Sequence, residues 1–216
     1  MPDRPGLRIT EIFHSLQGEG LSTGERTGFI RLTGCPLRCV YCDTAYAFTG
    51  GRRMSLDEIL AEVAGFHVRD VCVTGGEPLA QRGSLELLTR LCDAGYQVSL
   101  ETAGAMNIAG VDPRVTKVMD LKTPGSGESD RNLYANLEHL ARGDQLKFVI
   151  CGPEDYRWAA HEVLSLGLAE RCTVLFSAAA GRIAPGDLAD WILRDQLPVR
   201  LQVQLHKILW GEQPGR

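Results

Sequence analysis

Short apolar runs recur along the chain at 28–32, 70–73, 97–100, 115–121, 145–150, 173–176 and 200–204, with the residue types that strands favour. Between several of them lie segments whose apolar positions repeat with helical spacing, at 55–65, 84–94, 133–141, 155–165 and 187–193. Two helix starts are readable: Ser55-Leu56-Asp57-Glu58 fits a capping box, and Pro153-Glu154-Asp155 offers a proline and acidic residues to a first turn. Strand alternating with helix predicts parallel βαβ units with right-handed crossovers. No repeat, low-complexity tract or long linker divides the chain, so residues 1–216 read as a single domain. Six or seven short strands are too few for a full eightfold barrel and predict an incomplete βα barrel, or an open α/β sheet.

In parallel architectures the loops at the C-terminal ends of the strands hold the chemistry. Thr33-Gly34-Cys35, Thr74-Gly75-Gly76-Glu77-Pro78, Glu101-Thr102-Ala103-Gly104 and Lys122-Thr123-Pro124-Gly125 each follow a predicted strand, and all four should share one rim.

Composition narrows the class. The chain is 44% hydrophobic and 23% charged, as soluble folded proteins are, and its net charge of −4 gives no general attraction to nucleic acid or to a membrane surface. Pro2, Asp3, Arg4 and Pro5 stand where a signal peptide needs an apolar run, and no stretch is long and apolar enough for a membrane span, so the expected location is the cytoplasm. Three of the seven cysteines, Cys35, Cys39 and Cys42, crowd into one short loop. In a reducing compartment such a cluster points to metal or redox chemistry. Cys72, Cys92, Cys151 and Cys172 stand alone and read as structural. The triad leaves a tetrahedral site one ligand short. Either a downstream residue such as His67, Cys72 or Cys92 completes a structural zinc site, or the fourth position of a [4Fe–4S] cube stays open to a ligand.

The segment Gly34-Cys35-Pro36-Leu37-Arg38-Cys39-Val40-Tyr41-Cys42-Asp43-Thr44 resembles the cluster loop of radical S-adenosylmethionine enzymes, and Thr74-Gly75-Gly76-Glu77-Pro78 is similar to their second signature. Leu16-Gln17-Gly18-Glu19-Gly20, Phe29-Ile30-Arg31-Leu32, Cys42-Asp43-Thr44, Glu101-Thr102-Ala103-Gly104 and Gln204-Leu205-His206-Lys207 extend the likeness from Ile12 to Lys207. Together they resemble the 7-carboxy-7-deazaguanine synthase family. The resemblance implies a partial barrel of about six parallel strands. It implies a radical-mediated ring contraction of 6-carboxy-5,6,7,8-tetrahydropterin to 7-carboxy-7-deazaguanine with release of ammonia, on the route to queuosine and related deazapurines. It also implies an external reductant such as flavodoxin and a homodimer. The segment Asp120-Leu121-Lys122-Thr123-Pro124 departs from the Ser-Pro-Lys pattern of some members.

Carried onto this sequence, the resemblance assigns Cys35, Cys39 and Cys42 to the [4Fe–4S] cluster and Tyr41, Cys42, Asp43, Gly75, Gly76, Glu77 and Lys122 to S-adenosylmethionine. Thr44 goes to Mg²⁺, which suits a hydroxyl because that ion keeps much of its own water. Leu16, Gln17, Gly18, Glu19, Arg31, Thr74, Glu101 and His206 go to the substrate. Arg31 carries the planar fork that matches a carboxylate, and Gln17 can pair with an amide-like edge. Two rival readings remain open: a glycyl-radical activase, which shares the cluster loop, and a non-catalytic zinc or redox module.

Overall fold

The computed structural model describes residues 6–211, 213 and 215. Residues 2–5, on which the expectation of no signal peptide rests, lie outside the described residues.

Among the described residues nine strands form one sheet: β1 (Gly6–Leu16), β2 (Arg26–Leu32), β3 (Arg52–Ser55), β4 (Asp70–Gly75), β5 (Gln97–Thr102), β6 (Thr116–Asp120), β7 (Gln145–Ile150), β8 (Thr173–Ala178) and β9 (Arg200–Gln202). Their order is β3-β1-β2-β4-β5-β6-β7-β8-β9, with β3 and β9 at the edges, so the sheet is open rather than a closed barrel. From β2 onward every neighbour pair is parallel, which makes seven parallel strands where about six were expected. β1 runs antiparallel to both β2 and β3.

Among the described residues six α-helices accompany the strands: α1 (Leu56–Ala64), α2 (Ser84–Asp93), α3 (Pro153–Ser165), α4 (Leu168–Arg171), α5 (Pro185–Asp195) and α6 (Leu205–Trp210). The capping box forms as expected, with the Glu58 amide donating to Ser55 Oγ and the Ser55 amide to Glu58. α3 begins with Pro153 in its first turn. The helix expected at 133–141 is instead a 3-10 turn at Tyr134–His139. Its buried Asn136 amide donates to the carbonyls of Gly104 and Met106 and accepts from the Ile108 amide, an arrangement that serves the loop after β5 rather than an apolar helix face.

Side chains alternate across the parallel strands. Ile30, Val71, Val73, Leu100, Leu146 and Phe148 point to one face and are buried under the helices, against Ile59, Val63, Leu87, Leu91, Ala159 and Val163. This burial of aliphatic surface is the main stabilising term of the fold. The other face carries Phe29, Arg31, Cys72, Glu101, Asp120 and Lys147, which wall a cavity. That face is polar, and it is where the chemistry can sit.

Candidate active site

The loop leaving β2 carries the three cysteines. It turns at Gly34 (φ +98°), whose amide donates to the Ala47 carbonyl, and Cys35, Cys39 and Cys42 emerge half-buried on the cavity wall. The segment after β6 braces it: the Val40 amide donates to the Ser126 carbonyl at 3.0 Å and the Arg38 amide to Glu128 Oε1 at 2.5 Å. The buried Asp155 carboxylate holds that segment in turn, accepting from Thr123 Oγ1 and from the amides of Gly125 and Cys151. Burial pushes the Cys35 and Cys39 thiols up, and nearby Lys122 offsets this only in part.

Gly75 (φ +147°) and Gly76 pass directly beneath the cysteine loop. A Cβ on Gly75 would run into the Leu32 backbone, and one on Gly76 into the Gly34 carbonyl and Cys35 Cβ. Glycine is therefore demanded here by the close approach of two backbones. Glu77, assigned to the cofactor from the sequence, lies behind this wall. It is fully buried and does not line the cavity; its carboxylate accepts from Thr102 Oγ1 and from the amides of Leu79 and Ala103.

The cavity has a volume of about 320 Å³ and brings together every other expected site residue: Cys35, Cys39, Cys42, Tyr41, Asp43, Thr44, Gly75, Gly76, Lys122, Leu16, Gln17, Gly18, Glu19, Arg31, Thr74, Glu101 and His206. Arg31 donates from Nε to Glu11 Oε1 at 2.6 Å and lies 5.8 Å from the ring centroids of Phe13 and Tyr46. Its terminal nitrogens make no hydrogen bond among the described residues and can still receive a carboxylate. Thr44 precedes a 3-10 turn at Ala45–Phe48 without capping it; its hydroxyl donates to Asp43 Oδ1 at 2.9 Å. The His206 ring lies against the Gly18 backbone, so closely that a Cβ on Gly18 would enter it.

Several charged and polar side chains of the site carry no role in the sequence reading. Lys147 sits at the centre, its Nζ 3.0 Å from Glu19 and 3.4 Å from both Glu101 and Asp120. Asp120 also pairs with Lys122 Nζ at 2.5 Å. Glu19 accepts further from Gln202 (2.9 Å) and Gln204 (2.8 Å), while Lys207 reaches Asp43 at 3.1 Å. Burial raises the Glu19 and Asp120 carboxyls, but the adjacent lysines outweigh it and hold both below their ordinary value. Glu101 goes the other way, to about 7: burial dominates, and its one lysine contact does not compensate. Cys72, read as structural, also belongs to the cavity wall, where burial takes its thiol to about 12. The signal for Lys147 was present: a lysine between Leu146 and Phe148 in a buried strand must have anionic partners.

Comparison with known proteins agrees with this geometry. Residues 29–123 match the model of the Radical SAM superfamily. The 7-carboxy-7-deazaguanine synthase of Chlorobaculum tepidum is 44% identical over 95% of this chain and 94% of its own. That of Koribacter versatilis is 43% identical over 94% and 97%. This chain belongs to the 7-carboxy-7-deazaguanine synthase family. A crystal structure of QueE from Escherichia coli superimposes with a TM-score of 0.76 over 93% of this chain and 95% of that one, and at 23% identity it shows the shared fold.

Membership in the 7-carboxy-7-deazaguanine synthase family implies a [4Fe–4S] cluster and S-adenosylmethionine, and the residues fit both. Among the described residues no three His, Cys, Asp or Glu side chains converge as the ligands of a single ion would. A four-iron cube is larger and needs its thiolates further apart. Beside them, Tyr41 Oη is buried on the cavity wall without a hydrogen-bond partner among the described residues, which suits a polar cofactor. No helix among the described residues is long and apolar enough to cross a membrane.

Proposed function

We propose that this chain is a single-domain 7-carboxy-7-deazaguanine synthase acting on 6-carboxy-5,6,7,8-tetrahydropterin. The observation that carries the reading is that the cysteine loop and the polar inner face open into one cavity. When bound at Cys35, Cys39 and Cys42, the cluster with S-adenosylmethionine supplies hydrogen-atom abstraction, a reaction no side chain here performs. The protein binds, orients and excludes water. Arg31 presents a planar fork to the pterin carboxylate, steadied by Glu11 and two aromatic rings. Gln17 and the backbone of Leu16 and Gly18 offer donors and acceptors to the ring edge, and His206 and Thr74 line the same space. Tyr41, Asp43, Gly75, Gly76 and Lys122 border the cofactor side.

The reading includes Mg²⁺ held by the Thr44 hydroxyl, supported by the carboxylate of Asp43 beside it and by the few protein ligands this ion needs. It places the enzyme in the cytoplasm, where seven free cysteines persist, with an external one-electron reductant. It also makes the enzyme a homodimer, supported by exposed Leu201, Val203, Ile208 and Leu209 near the free edge of β9. A glycyl-radical activase must admit a polypeptide segment, whereas here α6 and the β1–β2 loop wall the cavity. The test is anaerobic reconstitution with iron and sulfide, then incubation with 6-carboxytetrahydropterin, S-adenosylmethionine and a reductant. Formation of 7-carboxy-7-deazaguanine and ammonia supports the reading. A brown, cluster-loaded protein that makes neither overturns it.

A further inference from the structure

Lys147 stands between the acids of the substrate side and the acid of the cofactor side. Its Nζ donates to Glu19 Oε2 at 3.0 Å and to Glu101 Oε2 at 3.4 Å. It also faces Asp120 Oδ1 at 3.4 Å, an ion-pair distance, yet that buried oxygen receives no hydrogen bond from any described residue. The other oxygen of Asp120 holds Lys122 Nζ at 2.5 Å, so the lysine that borders the cofactor is tied to an acid with an unfilled acceptor. The other cations of the wall are engaged, Arg31 by Glu11 and Lys207 by Asp43. Three carboxylates therefore compete for two ammonium groups. Of the two, Lys147 is the one that can be passed along: it reaches all three acids, and an ammonium is a point charge with rotatable donors on a flexible stem. Glu19 can spare it, because Gln202 and Gln204 donate to the same carboxylate at 2.9 and 2.8 Å.

We propose that Lys147 is a positioning residue that couples the two halves of the cavity: when N–H donors of the pterin take over Glu101, Lys147 moves onto Asp120 Oδ1, and Lys122 is freed from Asp120 to meet the carboxylate of S-adenosylmethionine. The inference rests on the pterin reading and adds how each half of the site tunes the other. Lys147 acts through the acids rather than on either ligand. While Asp120 depends on Lys122 alone for a hydrogen bond, it competes with any anion for that lysine; once Lys147 fills its second oxygen, the competition weakens. The buried charges then pair off without a surplus on either side. Each ligand should strengthen the other by one and the same factor.

The test is equilibrium binding of S-adenosylhomocysteine, which has the same carboxylate and no sulfonium to cleave, to the cluster-loaded protein with and without saturating pterin-6-carboxylate. In the parent the pterin should tighten S-adenosylhomocysteine about tenfold, and S-adenosylhomocysteine should tighten the pterin equally. Lys147→Met, matched to the parent in iron content, should bind S-adenosylhomocysteine at the parent's weaker affinity whether or not the pterin is added. Asp120→Asn removes the charge that holds Lys122 and should bind S-adenosylhomocysteine without pterin about as tightly as the parent does with it. That gain separates coupling from a merely structural role, which predicts losses alone. Arg31→Lys, which weakens the pterin through a different contact, should keep the coupling once the pterin is saturating. Independent binding of the two ligands in the parent, coupling that survives in Lys147→Met, or weaker S-adenosylhomocysteine binding by Asp120→Asn than by the parent overturns the inference alone. Should Lys147→Met take up no iron, the parent and Asp120→Asn decide. Absence of pterin-6-carboxylate binding in the parent overturns the inference together with the pterin reading.

Discussion

Replacing Lys147 by methionine keeps most of the side-chain length and removes the ammonium that faces Glu19, Glu101 and Asp120 at 3.0, 3.4 and 3.4 Å. The side chain is only 10% exposed, so water from the cavity takes over only in part. Removing one partner of a buried ion pair costs about 3–5 kcal/mol, because the charges left behind stay desolvated. The cost should depend on pH with a definite sign. Glu19 and Asp120 are held below their ordinary value in the folded parent, so their pairing contributes stability above about pH 4.5 that fades as the pH falls through their folded values. Glu101, at about 7, has the opposite effect: its proton is lost from the unfolded chain first, so it subtracts stability as the pH rises from about 4.5 to about 7. Without Lys147 all three carboxyls should move up. The Lys147→Met deficit should therefore reach about 3–5 kcal/mol near pH 8 and shrink to below about 2 kcal/mol near pH 5, where protons replace the lysine. Urea unfolding followed by circular dichroism at the two pH values measures it. A deficit below about 1 kcal/mol near pH 8, or one equal at both, would refute the picture of a lysine-centred buried cluster.

Gly76→Ala should leave the helical core folded but displace the cysteine loop, costing about 1–3 kcal/mol by overpacking and most of the bound iron; full iron content would show that the backbones can separate. Arg31→Lys keeps the charge but loses the fork, and should raise the apparent Michaelis constant for the pterin about tenfold, one charge-assisted hydrogen bond's worth, with cofactor affinity unchanged. Thr44→Val should keep the cluster and lose most of the stimulation by Mg²⁺, whereas Thr44→Ser should keep it; equal Mg²⁺ titrations for parent and Thr44→Val would remove Thr44 from the metal site.

Much of the molecule was legible because its determinants are local. The Ser55–Glu58 capping box needs four consecutive residues, and the strand runs with their rim loops need only period and punctuation. β1 was missed because its register shifts between Ile9 and Glu11, which interrupts the alternation that marks a strand. The 133–141 segment carried helical spacing, yet Asn136 spends its side chain on the loop at 104–108, a tertiary demand no local pattern announces. The cysteines, Arg31 and the paired glycines stood out by spacing and type. Gln202 did not, since its partner Glu19 lies 183 residues away and a lone glutamine in a sequence announces no partner.

The stitching of residues 17–21 to distant strands has a consequence for biogenesis. Gln17 to Leu21 can reach their final positions only when Gln145, Gln202, Gln204 and His206 are present, because the Gly20 and Leu21 amides donate to Gln202 and Gln145, and Glu19 accepts from both late glutamines. At a synthesis rate of about 5–20 residues per second, the first hairpin and the cysteine loop wait roughly ten to forty seconds on the ribosome before those partners are made. During that interval the thiols of Cys35, Cys39 and Cys42 sit on a half-built wall, open to solvent and to oxidants. Delivery of iron and sulfur should follow release of the finished chain rather than accompany its growth.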